Sequence, residues 1–173
     1  MIAAPIPDDD ARRLQALRAL LILDTPPEER FDRVVRFAAD EFDMPMALVS
    51  LVDEERQWFK ARVGMDACEG GREASFCGHA IVRPDLFIVE DARQDPRFHD
   101  NPAVTGQMGV VFYAGAPLVL PTGEIVGTLC LVDRRPRTFD ALDKAILGSL
   151  RDLVVEELQS QSASHPAPAG GAR

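Results

Sequence analysis

Residues 110–133 constrain the fold more than any other stretch. Val110 to Leu120 and Ile125 to Asp133 are two apolar runs joined by Pro121-Thr-Gly-Glu124. Apolar runs of this length bounded by turn residues read as strands, and Gly123 can take the positive φ that a tight turn needs. The segment predicts a hairpin, and a hairpin imposes antiparallel pairing, which a doubly wound nucleotide fold does not show.

A second hairpin is expected upstream. Met46 to Val52 reads as a buried strand, Asp53-Glu-Glu55 as a turn and Arg56 to Val63 as the return strand. Strict alternation sets Gln57, Phe59, Ala61 and Val63 on one face. Arg56, Trp58, Lys60 and Arg62 fall on the other, more solvated face, as suits a sheet edge.

Helices are expected at both ends. Leu14, Leu17 and Leu21 recur at helical spacing after Asp10, which can cap the free amides. Thr25 and Glu28 form a capping-box pattern around Pro26, with Phe31, Val34, Val35, Ala38 and Phe42 as the inner stripe. Thr138 can cap a last helix to about Leu158, with Leu142, Ile146, Leu150, Leu153, Val154 and Leu158 on a broad apolar face. Between the hairpins, Glu73 to Val82 reads as a short helix, Leu86 to Glu90 as a short strand and Asp91 to Gly109 as loop with one helical turn. The terminal helices can cover only one sheet face, so the segment 64–109 is expected to cover the other and leave a pocket.

The 173 residues suit one domain, and 46% hydrophobic content is ordinary for a globular chain. Residues 1–9 are expected to be loose, 10–158 folded and 159–173, rich in Ser, Ala, Pro and Gly, disordered. A net charge of -9 repels phosphate backbones and argues against nucleic acid. No apolar stretch is long enough to span a bilayer and the N-terminus lacks the basic start of a secretory signal, so no membrane partner is expected. Three cysteines, Cys68, Cys77 and Cys130, suit a reducing cytoplasm better than a disulfide framework.

Phosphate-cradling loops, nucleophile elbows, zinc-protease helices and Cys-x-x-Cys pairs are all missing, so no catalytic residue is expected. The densest chemistry is Arg72-Glu-Ala-Ser-Phe-Cys-Gly-His79. Cys77 reads either as a reactive or sensing thiol near a helix N-terminus or as a small buried hydrophobe, with Ser75 as a cap. A metal site from Cys68, Cys77, His79 and His99 matches no strong spacing template, and none is assigned. In the segment 89–101, Glu90, Asp91 and Asn101 read as binding groups on a loop or as turn caps, with Phe98 as a plug. Cys130 reads as packing.

These motifs together resemble the GAF domain family, and within it a bacterial subgroup found alone or fused to kinases and diguanylate cyclases. The resemblance rests on Arg12-Arg-Leu-Gln-Ala-Leu, Leu23-Asp-Thr-Pro-Pro-Glu-Glu-Arg-Phe-Asp32 and Gln57-Trp-Phe-Lys60. It continues through Ser75-Phe-Cys-Gly-His-Ala-Ile81, Val89-Glu-Asp-Ala-Arg-Gln-Asp-Pro-Arg-Phe98, Phe112-Tyr-Ala-Gly-Ala-Pro-Leu118 and Gly127-Thr-Leu-Cys-Leu-Val-Asp133. It implies an α+β fold: a central antiparallel sheet of about six strands, terminal helices on one face and a small-molecule pocket on the other. By likeness the pocket wall falls near Phe76, Cys77, Glu90, Asp91, Phe98, Asn101, Tyr113 and Leu129. The subgroup carries Arg where this chain has Val111, and the cyclic-nucleotide and bilin signatures of other GAF domains are not evident.

The resemblance implies a non-enzymatic sensory domain that binds an unidentified small molecule and signals through its terminal helices. A homodimer is expected, with a histidine kinase or a cyclic-di-nucleotide signalling protein as partner. No cofactor can be named. One alternative is a GAF-like free methionine-(R)-sulfoxide reductase, or a thiol redox sensor, because Cys68 and Cys77 are spaced like that reductase family's thiols; the third thiol expected near Asn101 is missing. Another is a dimerisation module with a vestigial pocket.

Overall fold

The structure is a computed structural model that describes residues 1–164, with side chains through residue 160. Its six strands are β1 (Met46–Val52), β2 (Arg56–Val63), β3 (Glu69–Gly71), β4 (Phe87–Val89), β5 (Phe112–Val119) and β6 (Ile125–Asp133). They form one sheet in the order β3-β2-β1-β6-β5-β4, antiparallel at every pairing. Both expected hairpins are present, and Gly123 takes φ 102° in the β5–β6 turn. The fold is the α+β arrangement anticipated from the sequence.

Alternation along the strands sorts two cores. Ala47, Val49 and Leu51 of β1, Phe112, Ala114, Ala116 and Leu118 of β5, and Leu129 and Leu131 of β6 face the helices. There they meet α1 (Asp10–Ala19), α2 (Glu29–Glu41) and α5 (Ala141–Ser164). Met46, Leu48, Val52, Tyr113, Cys130 and Val132 face the other way. They meet a cover that holds α3 (Phe76–Ala80), a 3-10 turn at Ala92–Gln94 and α4 (Pro102–Thr105).

Alternation fails in β2. Val49 pairs with Ala61 and Ser50 with Phe59, which leaves Lys60 as an extra residue. Such a bulge shifts the side-chain parity, so Trp58 and Ala61 both join the helix-side core while Phe59 faces the cover. Lys60 is buried rather than solvated: its Nζ lies 2.6 Å from both Glu28 and the Pro26 carbonyl. Nor is β2 an edge, because the short β3 pairs outside it.

Several caps differ from those read in the sequence. Glu28 is held by Lys60, so the Thr25 capping box does not form; α2 starts at Glu29, and the Thr25 hydroxyl donates to the Ile22 carbonyl. Asp10 is the first residue of α1, not its cap, and its carboxylate takes Arg13 and Arg72 instead. Asp140 rather than Thr138 caps α5, in a reciprocal pair with Asp143 at 2.8 and 3.0 Å. Residues 1–9, expected to be loose, lie against the cover, where Ala4 is buried and its amide donates to Glu73 O at 2.8 Å. Within the tail expected at 159–173, residues 159–164 continue α5 and 165–173 lie outside the described residues.

Candidate functional site

A cavity of about 120 Å³ lies between the cover and the sheet. Its walls come from Leu48, Phe59, Phe76, Ala103, Val110 and Val132, and it reaches the surface among Ala67, Glu69 and Met108, all exposed. The floor is polar: Cys77, Tyr113 and Cys130 all line it.

Local structure explains why Cys77 points inward. The Ser75 side chain accepts from Gly78 N at 2.9 Å and donates to Arg72 O at 2.6 Å. That N-cap starts α3 and turns Phe76 and Cys77 toward the sheet. Phe76 stacks on Phe98 at 4.1 Å and on Tyr113 at 5.1 Å between ring centroids. Apolar stacking therefore fixes one side of the thiol.

Hydrogen bonds fix the other. The Tyr113 hydroxyl and the Thr128 hydroxyl each donate to Cys77 Sγ at 3.2 Å, and Cys130 Sγ stands 3.9 Å away. The bond with Cys130 and those from Thr128, Tyr113 and Ser50 hold Cys77 below the ordinary thiol range, against the opposing effect of burial. Cys130 is pushed well up by its bond to Cys77 and by burial. Burial and the neighbouring sulfurs push Tyr113 well up too, so its phenol stays a donor.

A buried ionic network ties this cover to α1. Arg72 reaches Asp10 through two bonds of 2.8 and 2.9 Å, and Arg13 Nε reaches the same carboxylate at 2.7 Å. Arg13 also donates to Val52 O at 2.7 Å, and Arg72 to the Asp53 and Glu54 carbonyls. The Arg72 carbonyl accepts the Ser75 hydroxyl that starts α3. A continuous chain of bonds thus runs from α1 to the cavity roof.

A six-stranded antiparallel sheet with helices on one face and a small covered cavity on the other accords with the family match: the GAF domain model fits residues 26–158. The chain belongs to the GAF domain family. It is 42% identical over 137 residues to a cyclic di-GMP phosphodiesterase of Pseudomonas aeruginosa, covering 79% of this chain. It spans only 23% of that protein's length. In fold it resembles the GAF domain from a phosphoenolpyruvate-protein phosphotransferase of Coxiella burnetii, with TM-score 0.67, 16% identity and coverage of 89% of this chain and 96% of that one. It also resembles a free methionine-R-sulfoxide reductase of Neisseria meningitidis, with TM-score 0.65, 15% identity and coverage of 95% and 99%.

Within this GAF domain the expected wall residues separate. Phe76, Cys77 and Tyr113 line the cavity. Phe98 is fully buried behind Phe76 and does not. Leu129 faces the helix-side core, because Thr128, Cys130 and Val132 are the residues of β6 that parity turns toward the cover. Asn101 is buried but structural: it caps α4 at Ala103 N and donates to Ala74 O, both near 2.8–2.9 Å. Asp91 caps the 3-10 turn and pairs with Arg93, and Glu90 is exposed; neither lines the cavity. Val111, where the subgroup carries Arg, is buried, and its backbone bonds Ala92 and Asp133.

Cys130, Ser50 and Thr128 were not legible as site residues, and only their strand parity relative to Tyr113 could have indicated them. Cys68 is exposed and lines a separate surface groove with Trp58 and Lys60. Among the described residues no three metal-ligating side chains come together, and no helix is long and apolar enough to cross a membrane.

Proposed function

We propose that this GAF domain is a non-enzymatic sensor whose cavity takes one small molecule and whose terminal helices report its presence. The observation that carries the reading is the cavity itself, apolar in its walls and polar in its floor, which is the make-up of small-ligand sites. Its 120 Å³ is below the roughly 300–1,000 Å³ of drug-sized pockets. It is near the ~150 Å³ of an engineered cavity that accepts benzene. The ligand is therefore of single-ring size or smaller, with one group able to bond to the floor. Cyclic di-GMP is far larger, so this cavity gives a phosphodiesterase reading no support.

The route out is the chain Cys77, Ser75, Arg72, Asp10 to α1. A ligand that moves the cover by differential contact shifts the arrangement of this network, and only a few kcal/mol of coupling is needed to change populations. GAF domains occur with kinases and cyclic-di-nucleotide enzymes, and a separate region or protein of that kind would read the change. Leu142, Leu153 and Phe37 stay exposed on α5 and α2, and we assign them to contact with a second copy. Cys68 lies in its own groove apart from Cys77, which favours the sensor over a reductase that needs both thiols in the pocket.

The test is nuclear magnetic resonance with phenol as a probe of the right size. The expected result is saturable shifts at Cys77 and Tyr113 with accompanying shifts in Asp10–Leu17. Shifts absent from the cavity residues overturn the reading, and shifts confined to them remove the route through Asp10.

A further inference from the structure

Two hydroxyl donors and a second thiol converge on one buried sulfur at the cavity floor. Tyr113 Oη and Thr128 Oγ1 stand 3.2 Å from Cys77 Sγ, and the Cys130 thiol stands 3.9 Å away. A neutral thiol is a weak acceptor and gains little from such company, whereas a thiolate gains much. Among the described residues Cys77 is 3% and Cys130 0% exposed, yet both line a cavity that opens to solvent, so a small reactant reaches them where a protein does not. The two residues come from separate elements, α3 and β6, so a bond between them joins the cover to the sheet.

We propose that Cys77 and Cys130 form a peroxide-responsive dithiol. In the first step the Cys77 thiolate attacks the terminal oxygen of a hydroperoxide. The O–O bond breaks, the alcohol or water leaves with one proton, and Cys77 becomes a sulfenic acid. In the second step Cys130 sulfur attacks Cys77 sulfur. The S–O bond breaks, water leaves with the remaining proton, and a disulfide forms. Two thiols and one hydroperoxide give one disulfide, one alcohol or water, and one water. A small dithiol able to enter the cavity, such as dithiothreitol, reverses it by thiol–disulfide exchange.

Closing the bond draws the sulfurs from 3.9 Å to about 2.05 Å, which pulls α3 toward β6. α3 starts at the Ser75 cap on Arg72 O, and Arg72 holds Asp10, so the oxidised and reduced states differ in what they impose on α1. The site acts whether or not the cavity also takes a metabolite. Cys77, held below the ordinary thiol range, is the attacking group. Cys130, pushed up by its bond to Cys77, burial and the Cys77 charge, is relieved of that charge once Cys77 is a neutral sulfenic acid and then acts as the resolving group.

The experiment is peroxide titration of the full chain carrying Cys68→Ser, which removes the exposed thiol. Thiols are alkylated after denaturation and the peptides are mapped by mass spectrometry. The expected product is a Cys77–Cys130 disulfide, 2 Da lighter, formed at sub-millimolar hydrogen peroxide and reversed by dithiothreitol. In the same background Tyr113→Phe forms it roughly tenfold more slowly, the size of one lost bond to a charged group. Cys130→Ser leaves a dimedone-reactive Cys77. Both cysteines still alkylated after a free model thiol has been consumed overturns the proposal, and this readout needs neither of the further variants to fold. Oxidation of Cys77 to sulfinic acid without the disulfide overturns the role of Cys130.

Discussion

The ring of Tyr113 lies over Gly115, two residues along the same strand: a Cβ at Gly115 would stand 2.5 Å from Tyr113 Oη and 2.8 Å from its Cε1. The empty side-chain position lets the phenol lie flat and reach Cys77. Gly115→Ala is expected to cost about 1–3 kcal/mol by overpacking. The cost should fall in a Tyr113→Phe background, since the hydroxyl is the nearest atom. Urea denaturation of the four proteins of this double-mutant cycle checks it, and equal costs in both backgrounds contradict it.

Asp10 holds two buried guanidinium groups, Arg13 and Arg72, each no more than 3% exposed. Removing it leaves both without their counter-charge. Asp10→Asn is expected to lower stability by roughly 3 kcal/mol, the low end for a broken buried ion pair. The measurement is the chemical denaturation midpoint at neutral pH.

The same residue sets an acid limit. Burial raises the Asp10 pKa, but hydrogen bonds and charge from Arg72 and Arg13 outweigh it, and the net direction is down. A carboxylate lowered on folding contributes stability that is fully present above its unfolded value, about 3.9, and is lost as pH falls through the lower folded value. Stability should therefore decline below about pH 4, and less steeply in Asp10→Asn. Thermal unfolding across pH 3–6 tests the difference in slope.

Leu142, Ile146, Ser149 and Leu153 recur on α5 at spacings of four, three and four, the repeat of a helix–helix seam. Leu142 is 66% and Leu153 49% exposed, whereas Leu147, Leu150, Val154 and Leu158 form the buried stripe. Arg30 and Arg33 meet Glu157, so α2 runs alongside α5 and brings exposed Phe37 to the same side. Leu142→Glu with Leu153→Glu is expected to give a monomer of unchanged stability, within about 0.5 kcal/mol. Light scattering at high micromolar concentration reads the state, and a wild-type monomer contradicts it.

The sheet and its helices were legible because period and turn chemistry are local. The site was legible only in part. Leu129 was assigned to the pocket, but one residue of parity puts it on the helix face and Cys130 on the floor. The bulge at Lys60 has no signature in an alternating run, and the buried lysine shows its reason only once Glu28 is folded beside it. Asp10 and Arg72 are 62 residues apart, and nothing in the order of residues announces that pairing. Asn101 has the chemistry of a binding group, but its amide is consumed by α4 and Ala74.

Native mass spectrometry of the protein purified from its own host tests most directly whether the cavity is a binding site. The expected spectrum shows the chain carrying one retained molecule of single-ring size or smaller, displaced by excess phenol. A folded chain found only at its bare mass, before and after incubation with phenol, contradicts the sensor reading and leaves the helices as the functional surface.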